Sequence, residues 1–115
     1  MTQHEALVRL GHMLEASREA TELARGKTRQ DLSQNRLLEL ALTRLVEIVG
    51  EAASRVPKED QVRFPDIPWA DIVGMRNRLV HGYTEIDIDA LWSTIEEDLP
   101  ALVPLLEAAL GPDRK

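Results

Sequence analysis

The residues best equipped for chemistry sit together. The run Gly74-Met75-Arg76-Asn77-Arg78-Leu79-Val80-His81-Gly82-Tyr83 places two arginines, an asparagine, a histidine and the chain's only tyrosine within eight residues. Imidazole can take or give a proton near neutral pH. A guanidinium offers a planar fork of donors that matches phosphate or carboxylate oxygens. Arg76 and His81 are five residues apart, about 500° on a regular helix, so they stand about 140° apart around the axis and would not share a face in mid-helix. At a fraying C-terminal turn His81 can swing, or both side chains can face a groove shared with another subunit. A purely structural reading is also open. A histidine at a helix C-terminus is favoured by the macrodipole and the last carbonyls. The glycine after it is an ordinary stop, and Arg76 and Arg78 can pair with nearby carboxylates. The other histidines, His4 and His12, fall on the polar side of the first helical segment and read as solvated.

The elements that must hold this segment are helices. Leu (17) and Ala (12) supply most of the apolar residues, and β-branched and aromatic residues are sparse, a bias toward an all-α fold. Leu7, Leu10, Leu14, Ala20, Leu23 and Ala24 mark one apolar stripe between about Thr2 and Arg25, with Gly26 as its stop. A second helix is predicted from Thr28–Ser33 to Val56. Its core stripe is Leu38, Leu42, Leu45, Val49, Ala52 and Val56, widened by Leu37, Leu40, Ala41 and Ile48. So broad a face implies either two neighbours, the core and another subunit, or a central place inside a monomeric bundle. Gly50, in mid-helix, predicts a close helix approach. Residues 57–68 hold three prolines and read as a loop with one short turn. A third helix begins near Pro68 or Trp69, buries Ile72, Val73, Met75, Leu79 and Val80, and stops at Gly82. The run 84–89 reads as a loop in which Asp87 or Asp89 caps the last helix. That helix carries Trp92, Ile95, Leu99, Leu102, Leu106 and Leu110, with Pro100 and Pro104 predicting a kink or two abutting helices.

At 115 residues the chain is expected to form a single domain over 1–115, with 111–115 a frayed tail. Without cysteine there is neither a disulfide scaffold nor a thiolate metal site, and three scattered histidines do not suggest a metal cage. No apolar run approaches a membrane span, and the start lacks a signal-peptide pattern, so a soluble cytoplasmic protein is the expectation. The formal net charge of −6 argues against non-specific coating of nucleic acid. Its distribution qualifies that. Residues 1–83 carry 12 basic and 12 acidic residues, and residues 84–115 carry two and eight, so the motif segment itself is locally basic. The acidic final stretch reads as a surface for a basic partner or as a solvated face.

The run FPDIPWADIVGMRNRLVHGYTEIDIDALWSTIEEDLPAL resembles the HEPN superfamily, specifically HepT-like toxins. Arg76-Asn77-x3-His81 is similar to that superfamily's Arg-polar-x3-His ribonuclease motif, and Arg76, His81 and Tyr83 fit the longer Arg-x4-His-x-Tyr form. Ile67-Pro68-Trp69 before the motif and Gly50-Glu51-Ala52-Ala53 in the second helix belong to the same resemblance, which reaches from the first helix to residue 110. It implies a four- to five-helix up-and-down bundle that dimerises and joins two motif copies in a cleft. It further implies cleavage of RNA without metal or cofactor, and an MNT-type nucleotidyltransferase antitoxin that transfers AMP to the tyrosine, here Tyr83.

The residue chemistry agrees. Metal-free cleavage needs a base for the ribose 2′-OH, an acid for the leaving 5′-oxygen and a cation for the charge developing on phosphorus. His81 fits the proton transfers and Arg76 the phosphate clamp, and a homodimer would supply the second histidine. Asn77 could orient His81 or the phosphate, or be a solvated residue. Arg78 could widen a positive cleft or form a salt bridge. Tyr83 could stack on a base. The alternative is a HEPN subunit that binds a nucleotide or a nucleotidyltransferase and does not cut. A third reading is a plain helical dimer in which Arg-x4-His is only a helix terminus.

Overall fold

Side-chain capping fixes where several of the helices begin. The computed structural model describes residues 2–80 and 85–111. Thr2 opens α1 (Gln3–Leu23) through a capping box: its hydroxyl accepts from the Glu5 N–H at 3.1 Å, and the Glu5 carboxylate accepts from the Thr2 N–H at 2.9 Å. Thr28 and Asp31 repeat the device at α2 (Arg29–Gln34). Such boxes satisfy N–H groups that have no partner inside the helix. Between the two helices Gly26, at φ +76°, takes the left-handed conformation that ends the first run.

The long helix expected to start at Thr28–Ser33 is divided. Asn35 leaves helical geometry at φ −130°, ψ 97°, ends α2 and caps α3 (Arg36–Ser54) by accepting from the Leu38 N–H at 3.1 Å. Asparagine bonds readily to nearby backbone and so competes with the helical ladder. The following loop contains the single expected turn, α4 (Lys58–Gln61), and the Trp69 indole donates to the Phe64 carbonyl at 3.1 Å.

The helix around the motif differs from its expected span. It divides at Gly74 into α5 (Trp69–Val73) and α6 (Met75–Leu79), and it ends before Gly82. Val80 is extended, at φ −105°, ψ 122°, and forms an isolated antiparallel bridge with Ile86. Asp87 secures this return. Its N–H donates to the Leu79 carbonyl at 2.7 Å, satisfying an end-of-helix acceptor, while its Oδ1 accepts from the Ala90 N–H at 3.0 Å and caps α7 (Ile88–Ser93). Asp89, the other candidate cap, pairs with Arg29 of α2. That hydrogen bond first, and the Asp89 charge second, raise the Arg29 guanidinium above its ordinary pKa.

α7 continues through a π-helical turn, Thr94–Asp98, into α8 (Leu99–Leu110). Pro100 has no N–H for the Glu96 carbonyl, and its ring would collide with that oxygen in a regular helix. The widened turn, in which the Leu99 N–H donates to the Thr94 carbonyl, lets the helix pass the proline. The expected interruption therefore takes the form of a π turn, and Pro104 lies within α8.

α1 packs against both α3 and α8, and α5 and α6 lie on α3. Leu10, Met13 and Ala20 of α1, Leu42, Val46 and Val49 of α3, and Leu99 and Leu106 of α8 are fully buried. Leu23 and Val73, expected in the core stripes, are exposed, and Leu91 takes the inner place expected of Trp92. On α3 the core stripe is buried, but Leu37, Leu40 and Ala41 face outward. α3 nonetheless packs against α1, α2, α5, α6 and α7, so only the Leu37–Ala41 end of its broad face is uncovered within one chain. Among the described residues no strand is present, and the all-α expectation holds. None of the described helices is long and apolar enough to cross a membrane.

Gly50 sets the spacing between α3 and the motif helices. A Cβ at this position would stand 3.2 Å from the Ile72 carbonyl oxygen and 3.8 Å from that of Val73. This approach accounts for a glycine that costs about 1 kcal/mol relative to alanine in mid-helix. Gly50→Leu should therefore push α5 away from α3, destabilise the fold by about 2 kcal/mol and lower Tm by roughly 10 °C. An unchanged calorimetric Tm would contradict this packing.

Candidate active site

The close approach at Gly50 brings α6 beside the middle of α3, and there Arg76 meets Glu47. The Arg76 Nε donates to Glu47 Oε2 at 2.7 Å. The Glu47 side chain is only 20% exposed against 51% for Arg76, so the carboxylate is the fixed partner and the guanidinium the accessible one. Glu47 is also 3.9 Å from Arg44, which bonds to Glu51 at 3.1 Å. The result is a line of alternating charge, Arg76–Glu47–Arg44–Glu51, across the face of α3.

Anchoring through Nε leaves the outer edge of the fork usable. Among the described residues neither Nη nitrogen of Arg76 has a hydrogen-bond partner. Beside it lies a cleft of about 380 Å³, walled by α3 from Leu40 to Glu47, by Arg76, and by Glu85 with the Val80–Ile86 bridge. Among the described residues, the formal charges lining it, Arg44 and Arg76 against Glu47 and Glu85, cancel. An anion in this cleft would be held by aimed donors rather than by net field.

The remaining candidates separate. His81 and Tyr83 lie outside the described residues, as does Gly82. The helical register that would set Arg76 and His81 about 140° apart ends at Leu79. The residues flanking 81–84 on both sides, Val80 and Glu85, line the cleft. Asn77 is exposed, and its side-chain amide has no partner among the described residues. Arg78, about 200° around the helix from Arg76, lies 3.8 Å from Asp98 and lines a different cavity, of about 340 Å³, against α8. The structure thus brings Arg76 to the α3 cleft and places Arg78 on the other side of α6.

Sequence reasoning missed Glu47. Its signal was nonetheless present: Leu37, Leu40, Ala41, Arg44, Glu47 and Glu51 recur at three- and four-residue spacing, a surface stripe that turns from apolar to charged halfway along.

The fold and the site together define a small all-helical domain that presents an anchored arginine at a cleft. The chain matches the ribonuclease HepT-like family over residues 13–109, and it belongs to that family. It is 30% identical over 102 residues to "Putative RNase MJ1380" of Methanocaldococcus jannaschii, covering 89% of this chain and 94% of that protein. It is 37% identical over 93 residues to "Probable ribonuclease HepT" of Thermococcus cleftensis, covering 77% and 84%. A third relative, "Putative RNase TTE0752" of Caldanaerobacter subterraneus subsp. tengcongensis, is 33% identical over 93 residues, covering 81% and 83%. No solved structure gives a significant match.

The Arg76–Glu47 bond joins two elements through a half-exposed guanidinium, so its strength is screened. A double-mutant cycle of Arg76→Ala and Glu47→Ala in urea should give a coupling of about 0.5 kcal/mol that shrinks with added salt. A coupling of zero at low salt would mean that the pair does not hold α6.

Proposed function

We propose that this chain is an endoribonuclease that cleaves RNA without a metal ion or cofactor, acting in the cytoplasm as the toxin of a toxin–antitoxin pair. The observation that carries the reading is the Arg76 guanidinium, anchored by Glu47 at a cleft whose walls include both residues flanking the segment with His81 and Tyr83. Membership of the HepT-like family supports the same chemistry.

In this mechanism a histidine takes the proton of a ribose 2′-hydroxyl, and the 2′-oxygen attacks the adjacent phosphorus. The two Nη donors of Arg76 bind the non-bridging oxygens and stabilise the charge that builds on them. A second histidine protonates the departing 5′-oxygen. The products are a 2′,3′-cyclic phosphate and a 5′-hydroxyl. Each chain has one motif histidine, His81, so the mechanism calls for a homodimer. The outward face of α3 suits such a contact: Leu37 is 79% exposed and Leu40 44%, and Leu40 also borders the cleft. Two copies meeting on this face would set their clefts side by side. Asn77, exposed beside Arg76, orients the phosphate or His81.

Regulation acts on Tyr83. A cognate MNT-type nucleotidyltransferase presents ATP, the phenolic oxygen of Tyr83 attacks the α-phosphorus, and pyrophosphate leaves. The attached AMP brings bulk and negative charge two residues from His81, which blocks an RNA phosphate by occlusion and like-charge repulsion.

Purified wild-type protein should cut RNA in EDTA. Arg76→Ala and His81→Ala should each cut at least about 100-fold more slowly, and Leu37→Glu should sediment as a monomer and lose most of its activity. Equal cutting by wild type, Arg76→Ala and His81→Ala would overturn the reading.

A further inference from the structure

Every described arginine but two is ion-paired: Arg18, Arg25, Arg29, Arg36, Arg44, Arg63, Arg76 and Arg78 each sit against a carboxylate. The exceptions are Arg9 and Arg55. They come from different helices, α1 and the C-cap of α3, yet they line the same cavity, of about 250 Å³. Arg44 and His12 share its lining, and Glu51, already bonded to Arg44, is the one carboxylate among the described residues that line it. In a chain of net charge −6 this is a locally positive pocket. The Nε of Arg9 is fully buried and has no hydrogen-bond partner. A buried guanidinium nitrogen left unpaired is costly.

Arg44 belongs to this cavity and also to the cleft that holds Arg76. An anionic polymer seated at Arg76 therefore has a second, positively charged seat next to the first. We infer that Arg9, Arg55 and Arg44 form a backbone track that holds phosphates of the RNA strand beside the scissile one. This inference rests on the functional reading above and supplies what the cleft lacks. The cleft is neutral and directs a single phosphate, whereas the track carries the net charge that draws the strand in and sets its direction along α3. A track of this kind binds backbone without reading bases, so it favours longer strands over dinucleotides.

The test uses full-length protein and a short 2′-O-methyl oligoribonucleotide, which cannot be cut through its 2′-oxygen. Anisotropy gives Kd across roughly 50 to 200 mM salt. Replacing both residues, Arg9→Gln with Arg55→Gln, should weaken binding roughly tenfold and reduce the slope of log K against log salt by about 1.4, near 0.7 for each lost phosphate contact. Arg55→Gln alone, at an exposed position, should remove about half of that slope and does not touch the half-buried Arg9. Arg25→Gln, which removes an arginine paired only with Glu22, should change neither quantity. Salt slopes unchanged in both variants, or an equal loss in Arg25→Gln, would overturn the track while leaving RNA cleavage at Arg76 standing. A wild type that neither binds the oligoribonucleotide nor cuts RNA would overturn the functional reading and the track together.

Discussion

The approach of two carbonyl oxygens to Gly50 is the constraint on which the rest of the molecule depends. Position 50 has no side chain, and even a Cβ there would press on the Ile72 carbonyl oxygen at 3.2 Å, so the backbone of α5 comes this near α3 with little room to spare. From that contact the geometry propagates over a short distance. α6 continues from α5 through Gly74, Arg76 sits in its first turn, and Glu47 lies one turn before Gly50 on the facing helix. The Arg76–Glu47 bond is thus a consequence of packing more than its cause, since a half-exposed ion pair stabilises little by itself. What the pair contributes is orientation. It fixes the guanidinium by its inner nitrogen and leaves the outer two toward the cleft.

Charge placement explains how an acidic chain can present an anion site. Half of the eight acidic residues of 84–115 are engaged in capping or ion pairs within the molecule. Asp87 caps α7, Asp89 pairs with Arg29, Asp98 with Arg78, and Glu107 with Arg18. These contacts tie the C-terminal helices to α2, α6 and α1, so the stretch is not simply a free acidic surface. The same pairings neutralise arginines on the flanks of the bundle. Among the described arginines, the two left without a carboxylate, Arg9 and Arg55, line one cavity that shares Arg44 with the Arg76 cleft. Net charge therefore describes the solubility of this chain and says little about its site.

Much of this was legible in the sequence because it is written in local patterns. Helical periodicity located the core of α1, α3 and α8, Gly50 announced the close approach, and Asp87 was a recognisable cap. The misses have common causes. Gly74 breaks a helix in the middle of an apolar stripe, where periodicity continues across the break and hides it, whereas Asn35 lies in the polar run just ahead of the α3 stripe, where no periodicity marks a boundary. The motif helix ends at Leu79 rather than Gly82 because a tertiary contact, the bridge from Val80 to Ile86 with the Asp87 N–H on the Leu79 carbonyl, outcompetes one more helical turn. The i, i+2 spacing of Arg76 and Arg78 already puts them on opposite sides of a helix, but which cleft each one meets depends on the neighbours of α6. The surface stripe that carries Glu47 is visible in the sequence but its pairing with Arg76 is not, and the Arg9–Arg55 pair leaves no local pattern at all: each acquires its meaning from a residue far away in sequence.

The chemistry assigned to Arg76 and His81 leaves a mark on its products, and analysis of the cleaved ends is its most direct test. With RNA cut by the wild-type protein, mass spectrometry should find 2′,3′-cyclic phosphate on the upstream fragment and a 5′-hydroxyl on the downstream one. A substrate carrying 2′-deoxyribose at the cut site should remain intact. Fragments ending in 3′-hydroxyl and 5′-phosphate, or cleavage of the deoxy-substituted strand, would show that the 2′-oxygen is not the nucleophile and would contradict the account.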